Sequence, residues 1–146
     1  MYRIILADDE KLELNALKFF LSKNFGEQVE LETASTGRAA IELAESFHPD
    51  LMIMDIHMLG INGLDAIREI KERNPGSVIR FIMLTAYDTF EYAQDAVRLG
   101  VSAYLTKPVH RQELVATVRS EMNRIDAEKK KRKAQSQILW DLGFLS

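Results

Sequence analysis

Five polar side chains stand directly after short apolar runs of this 146-residue chain. They are Asp8, Asp9, Asp55, Thr85 and Lys107. Three carboxylates brought close together repel one another, and one of them would be driven towards its protonated form unless a cation lay between them. Hard oxygen ligands of this kind, with room left for water, suit Mg²⁺ or Mn²⁺. The residue types therefore predict a divalent metal site.

The same five residues could act on a phosphoryl group. Phosphoryl transfer requires a nucleophile, a cation that neutralises charge, and donors that hold the remaining oxygens. Asp55 is the candidate nucleophile. Asp9, helped directly or through water by Asp8, can hold the metal. Thr85 can donate its hydroxyl to a phosphate oxygen, and Lys107 can supply a second positive charge.

Five apolar runs, rich in Ile, Val, Leu and Met, have the length and composition of buried strands. They cover residues 2–7, 29–34, 51–54, 78–84 and 103–105. Segments with helical spacing separate them, and this strict alternation predicts a parallel sheet with helices on both faces. Ligands of such sheets bind at the carboxyl ends of the strands. The five polar side chains fall at those ends.

Each helical segment carries an apolar stripe on one face. The predicted stripes are Leu14, Leu17 and Leu21; Ala40, Leu43, Ala44 and Phe47; Leu64 and Ile67; Phe90, Ala93 and Val97; and Leu114, Val118 and Met122. Asp88 with Glu91 predicts a capping box that opens the fourth helix, and Gly100 predicts its end. Residues 74–76, Asn-Pro-Gly, predict a break between the third helix and the fourth strand.

Composition limits the classes of protein that the chain can represent. Its length and its 47% hydrophobic residues suit one domain with an extension, and the absence of cysteine excludes disulfides and thiolate metal sites. We expect no secretory signal, no membrane span and a cytoplasmic location. The net charge of −3 and the confinement of a lysine-rich run to residues 129–133 argue against nucleic-acid binding by this segment alone.

Four segments of the chain match one known family in order and spacing. They are LADDE at the first strand end, DLMIMDIHMLGINGLD around the third strand, MLTAYD at the fourth and GVSAYLTKPV at the fifth. Over residues 2–125 the chain resembles the receiver domains of two-component response regulators. None of the four segments is specific by itself, but their arrangement on successive strands is.

The resemblance implies a fold and partners. The fold is the flavodoxin-like (βα)₅ three-layer sandwich, with a parallel sheet of order 2-1-3-4-5 and here an extended C-terminal helix. Residues 1–125 would form the receiver, and residues 126–146 a helical linker towards an output domain. The implied partners are a sensor histidine kinase and a second subunit paired through the fourth helix, fifth strand and fifth helix. Such a domain is a phosphoacceptor that acts on itself, not an enzyme with an external substrate.

The resemblance also implies roles for further residues. Asp55 would be phosphorylated, and the backbone carbonyl of His57 would be an additional Mg²⁺ ligand. Thr85 would move towards the phosphate while Tyr104 changes rotamer. The bond between Lys107 and Pro108 would be cis.

Two bulky residues would set the lifetime of the phosphorylated state. They are His57 and Tyr87, which stand two positions beyond Asp55 and Thr85. Because bulk at these positions restricts the attacking water, we expect slow self-dephosphorylation. The alternative is that a neutral His57 orients the water and speeds hydrolysis.

One residue departs from the family pattern, and several alternative functions stay open. Leu59 replaces a usual proline, which leaves its loop more freedom to lose on ordering. A flavin-binding module is disfavoured because the acidic residues 8–10 would repel a bare phosphate. A hydrolase would need a second acid where His57 stands. A metal-independent pseudo-receiver and a stand-alone receiver that acts by protein–protein contact are the remaining alternatives.

The output is predicted less directly than the receiver. Residues 84–109 look similar to receivers that precede AraC-type helix-turn-helix domains, so transcription is the expected output and DNA would be bound by a domain outside these residues. After Ile125 the apolar spacing breaks, which favours a helical linker over a sustained coiled coil. A late apolar cluster at residues 138–145 could dock a second subunit or another domain.

Overall fold

Five strands alternate with five α-helices in the computed structural model, which describes residues 1–86 and 89–144. The strands are β1 (Tyr2–Ala7), β2 (Val29–Ala34), β3 (Leu51–Met54), β4 (Arg80–Thr85) and β5 (Ala103–Thr106). The helices are α1 (Lys11–Phe25), α2 (Gly37–Phe47), α3 (Gly63–Arg73), α4 (Phe90–Arg98) and α5 (Arg111–Asp141). The predicted alternation is confirmed. The fourth strand begins two residues later than predicted, because residues 78 and 79 precede the ladder.

The strands form one parallel sheet of order β2-β1-β3-β4-β5, as predicted. Its register places the last residues of neighbouring strands side by side: Ala7 pairs with both Ala34 and Met54, and Thr85 pairs with Thr106. The carboxyl ends of the strands therefore form one edge of the sheet.

Alternate side chains of the strands enter two separate cores. Ile5, Met52 and Met83 pack under α2, α3 and α4, whereas Ile4, Ile53 and Leu84 pack under α1 and α5. This period of two in a sheet covered on both faces produces three layers. The flavodoxin-like three-layer arrangement is confirmed.

Most predicted helix stripes are buried, but the one predicted for α4 is wrong. Phe90 and Val97 are 79% and 77% exposed. The helix instead turns Tyr92, Ala96 and Leu99 towards the core, at the equally helical spacing i, i+4, i+7. The small Ala96 is fully buried and lets the helix approach the sheet, so α4 presents Phe90 and Val97 to solvent.

Side chains cap the starts of three helices. Thr36, Asn62 and Thr89 each accept a hydrogen bond from a backbone N–H three residues later. The N-cap of α4 is therefore Thr89, and Asp88, which was predicted to open the capping box, lies outside the described residues. The predicted stops at residues 74–76 and at Gly100 are confirmed, with Gly76 and Gly100 at positive φ.

Helix α5 continues 16 residues beyond Ile125 without a break. Its buried face ends at Ile125, and polar contacts hold the next part of the helix against the amino-terminal edge of the sheet. Tyr2 Oη donates to Asp126 at 2.7 Å, Lys129 Nζ lies 3.0 Å from Asp50 Oδ1, and Arg132 donates to the carbonyl of Gly76 at 3.1 Å. In the described part of the chain, no helix is both long and apolar enough to traverse a bilayer.

Candidate functional site

Backbone hydrogen bonds carry the sheet ladder one residue beyond the strands and place the candidate side chains together. Asp8 N–H donates to Ala34 O at 3.1 Å, and Asp55 N–H donates to Ala7 O at 3.0 Å. At the other side Lys107 N–H donates to the carbonyl of Thr85 at 2.8 Å. The residues predicted from separate strand ends thus meet at one edge.

Three carboxylates converge at this edge. Asp8, Asp9 and Asp55 each offer an oxygen, and these oxygens lie within 4.8 Å of one another. Asp8 and Asp55 are buried, whereas Asp9 is exposed to solvent. An all-oxygen set with an open, solvent-facing side fits Mg²⁺ or Mn²⁺, which retain several waters. The predicted metal ligands therefore stand where a hard divalent cation can bind.

The Lys107 ammonium lies between three carboxylates. Its Nζ is 2.8 Å from Asp8 Oδ2 and 3.3 Å from Asp55 Oδ2, and it also contacts Glu13 on the first turn of α1. Burial lowers the pKa of Lys107, but the hydrogen bonds to Asp8 and Glu13 and the charge of Asp55 together raise it by more than burial lowers it. The net pKa therefore lies above the ordinary value. The side chain is therefore a fixed positive charge.

Glu13 was not identified from the sequence. The hydrogen bond from Lys107 lowers its pKa, while burial and the neighbouring Asp8 raise it, and the net pKa lies above the ordinary value. The position of an acid on the first turn of α1, five residues after Asp8, was the available signal. Only the fold shows that this turn faces Lys107.

Thr85, His57 and Tyr104 lie around the acidic cluster. Thr85 is fully buried at the end of β4. His57 N–H approaches Asp55 Oδ1 at 3.4 Å, and the imidazole packs edge-on against Tyr92 of α4 at 5.3 Å between ring centroids. Tyr104 is partly buried against the core under α4. These positions are compatible with the predicted roles of the three residues, which stay predictions.

The loop between β3 and α3 depends on a glycine that the sequence analysis did not single out. A Cβ on Gly63 would lie 2.2 Å from the carbonyl oxygen of Asp55. The absence of a side chain lets α3 begin directly against the backbone of the candidate nucleophile, and Gly63 N–H donates to Ile56 O at 2.7 Å. In the same loop Leu59 is 77% exposed.

The Lys107–Pro108 peptide bond is cis, as predicted. Tyr87, for which a role in dephosphorylation was predicted, lies outside the described residues.

Comparison with known proteins agrees with the fold. The family model described as "Response regulator receiver domain" matches residues 4–119. The chain therefore belongs to the response regulator receiver domain family. This membership disfavours the flavin-binding and hydrolase alternatives.

Two curated relatives and two solved structures illustrate the similarity. The chain is 33% identical over 135 residues to the uncharacterized transcriptional regulatory protein YesN of Bacillus subtilis, covering 90% of this chain and 36% of the relative. It is 35% identical over 123 residues to the transcriptional regulatory protein DesR of Bacillus subtilis, covering 84% and 59%. The chain thus spans less than two thirds of both relatives.

For two solved structures, the similarity extends over almost the whole of the solved chain. A response regulator receiver domain protein from Clostridium thermocellum has a TM-score of 0.77 at 30% identity, covering 87% of this chain and 98% of that one. A DNA-binding response regulator of the LuxR family from Staphylococcus aureus has a TM-score of 0.74 at 30% identity, covering 83% and 98%.

Proposed function

We propose that Asp55 is the phosphoacceptor of this receiver domain. The observation that carries the proposal is the convergence of Lys107, Asp8 and Asp9 on the Asp55 carboxylate at the carboxyl edge of the sheet. An Asp55 oxygen attacks phosphorus, the bond from phosphorus to the donor's leaving group breaks, and an acyl phosphate forms on Asp55. Water later attacks the phosphorus and releases inorganic phosphate, which restores the carboxylate.

The other side chains hold the transferring group. Asp8, Asp9 and Asp55, with the carbonyl of His57, are the proposed Mg²⁺ ligands, and Mn²⁺ is an acceptable substitute. When bound, the cation neutralises charge on the phosphoryl oxygens. Lys107 supplies the second positive charge, and the Thr85 hydroxyl donates to a third oxygen. The domain therefore acts only on itself.

The test is phosphorylation by acetyl phosphate or phosphoramidate, followed by intact-protein mass. We expect addition of one phosphoryl group with Mg²⁺ and none after chelation, because without the cation the incoming phosphate meets uncompensated carboxylates. Asp55→Asn should abolish the addition, and the surface variant Asp65→Asn should not. Equal labelling of Asp55→Asn would exclude the assignment.

We further propose that phosphorylation shifts a pre-existing equilibrium towards a state with Thr85 drawn towards the phosphate and Tyr104 in a new rotamer. The remodelled face consists of α4, β5 and α5, and it pairs two subunits or binds the output element. The exposed Phe90 and Val97 on α4 support a contact function for this face. Beryllofluoride should change both solution scattering and labelling of this face. If scattering and labelling were both unchanged, the proposed switch would be contradicted.

The chain's wider role is also a proposal. The chain acts in the cytoplasm, where a sensor histidine kinase is the phosphoryl donor. Residues 1–125 are the receiver, and residues 126–146 are a linker, helical as far as Asp141, to an output that controls transcription by binding DNA. Two relatives with transcriptional names support that output. The similarity of residues 84–109 favours an AraC-type domain, whereas the Staphylococcus aureus structure favours a LuxR-type one. Sequencing the gene beyond Ser146 decides between them and a stand-alone receiver.

A further inference from the structure

The Lys107 ammonium has no donor left over for a phosphoryl oxygen. A lysine ammonium carries three N–H donors. Carboxylates of Asp8, Asp55 and Glu13 all lie in contact with Nζ, the first two at 2.8 and 3.3 Å. Phosphorylation of Asp55 replaces the 3.3 Å contact with a phosphoryl oxygen, but Lys107 can give a second donor to the group only if its contact with Asp8 or Glu13 is also exchanged.

The three carboxylates differ in how readily they can leave. The side chains of Asp8 and Asp55 are 8% and 10% exposed, whereas that of Glu13 is 41% exposed. Asp8 is also held by the backbone N–H of Glu10 at 2.9 Å. A carboxylate that already faces water is rehydrated at little cost, while a buried one is not. Glu13 is therefore the exchangeable partner.

We propose that Glu13 is a positioning residue that occupies the Lys107 donor which the phosphoryl group takes, so that it competes with phosphorylation of the domain. The inference rests on the proposed function of Asp55. On phosphorylation the Glu13 side chain turns to solvent and Lys107 transfers its contact from the Glu13 carboxylate to a phosphoryl oxygen. Glu13 thereby sets how readily the site accepts the group.

Glu13 has opposite effects on the two ligands of the site. Asp8, Asp9 and Asp55 form a cluster of three carboxylates, and Glu13 brings a fourth negative charge to the site through its contact with Lys107. The Glu13 charge attracts a divalent cation but repels an anionic phosphoryl group. Removal of the charge should weaken Mg²⁺ binding and strengthen binding of a phosphoryl analogue. One titration with Mg²⁺ and a second with the phosphoryl analogue can therefore measure the two opposite effects separately.

The experiment compares four variants of the full chain: Glu13→Gln, Glu13→Ala, Glu10→Gln and Glu10→Ala. Glu10 is the matched control, because it is an exposed acid beside the cluster and its link to Asp8 is made by the backbone. Mg²⁺ affinity is measured by calorimetry without an analogue. Affinity for beryllofluoride is then measured at saturating Mg²⁺ by fluorine NMR.

We expect both Glu13 variants to bind beryllofluoride more tightly than the Glu10 variants by roughly two- to fivefold, the range of a partly exposed ion pair. Glu13→Ala should bind it most tightly, because a glutamine carbonyl still accepts a hydrogen bond from Lys107. Equal effects at positions 10 and 13, or weaker analogue binding in the Glu13 variants, would overturn the inference. Failure of the unaltered chain to bind beryllofluoride would instead refute the proposed function.

Discussion

Gly63 offers a direct test of how the fold positions Asp55. In Gly63→Ala the new Cβ would stand 2.2 Å from the Asp55 carbonyl oxygen, 3.0 Å from the Asp55 carbonyl carbon and 3.1 Å from Ile56 Cα. An unstrained carbon–oxygen contact needs about 3.3 Å. The backbone of Asp55 or the start of α3 must therefore move by about 1 Å, since all three obstacles are main-chain atoms.

The displacement has a stability effect and a functional effect. Overpacking of this kind costs about 1–3 kcal/mol, and the rigid backbone places Gly63→Ala at the upper end. At about 2–4 °C per kcal/mol for a chain of this size, the melting temperature should fall by about 6–12 °C. A shift of about 1 Å at the nucleophile should also slow phosphorylation roughly a hundredfold.

Thermal unfolding and the rate of phosphorylation by acetyl phosphate measure the two effects. Gly60→Ala is the control in the same loop. Gly60 has φ of 84° and open space around its Cβ position, so its substitution should cost about 1–2 kcal/mol through backbone strain and leave the rate nearly unchanged. If Gly63→Ala unfolds and reacts like the unaltered protein, the close approach of α3 to Asp55 does not constrain the site.

Three further predictions concern other parts of the molecule. Arg80→Leu should lower the free energy of unfolding in urea by about 2–3 kcal/mol, because the 2%-exposed Glu121 carboxylate keeps only its longer contact with Arg124 among the described residues. The double variant Arg80→Leu with Glu121→Met should regain most of this loss, because it also removes the buried charge. Equal losses in the single and double variants would contradict this. A hydrogen bond to a carboxylate on α5 raises the pKa of Tyr2 from 10.0 to about 12, so its contribution to stability is complete below pH 10 and is lost as pH rises through about 12. In a near-ultraviolet titration Tyr2→Phe should therefore lack a phenol that ionises near pH 12, and an unchanged titration would contradict this. Phosphate release should be slow and should quicken in His57→Ala and Tyr87→Ala, whereas slower and pH-insensitive release in His57→Ala would show that the imidazole orients the water.

The site was predictable where chemistry coincides with local sequence. Asp8, Asp55 and Lys107 each follow a short apolar run, and in a parallel sheet the ends of such runs meet at one edge. The type of residue and the direction of the strand are therefore enough to predict that they meet.

Features that depend on neighbours distant in sequence were not predictable. Glu13 looked like an ordinary helix-surface acid, because nothing near it in sequence shows that α1 faces Lys107. Nothing in the sequence around Gly63 shows that the backbone of Asp55 lies against it. On α4, two stripes have the helical period, and the choice of Ala96 over the larger Val97 follows from how closely the helix must approach the sheet.

The anchored continuation of α5 has a consequence for whatever follows it. An α-helix turns by about 100° and rises about 1.5 Å per residue. Lys129 and Arg132 contact the receiver, and α5 continues from them without a break to Ile138 and Trp140, both exposed. Insertion of one residue after Arg132 would swing this apolar patch by about 100°, whereas insertion of seven would restore its direction to within about 20° and lengthen the arm by about 10 Å. The direction in which the apolar patch faces is therefore set by the number of residues between Arg132 and Ile138.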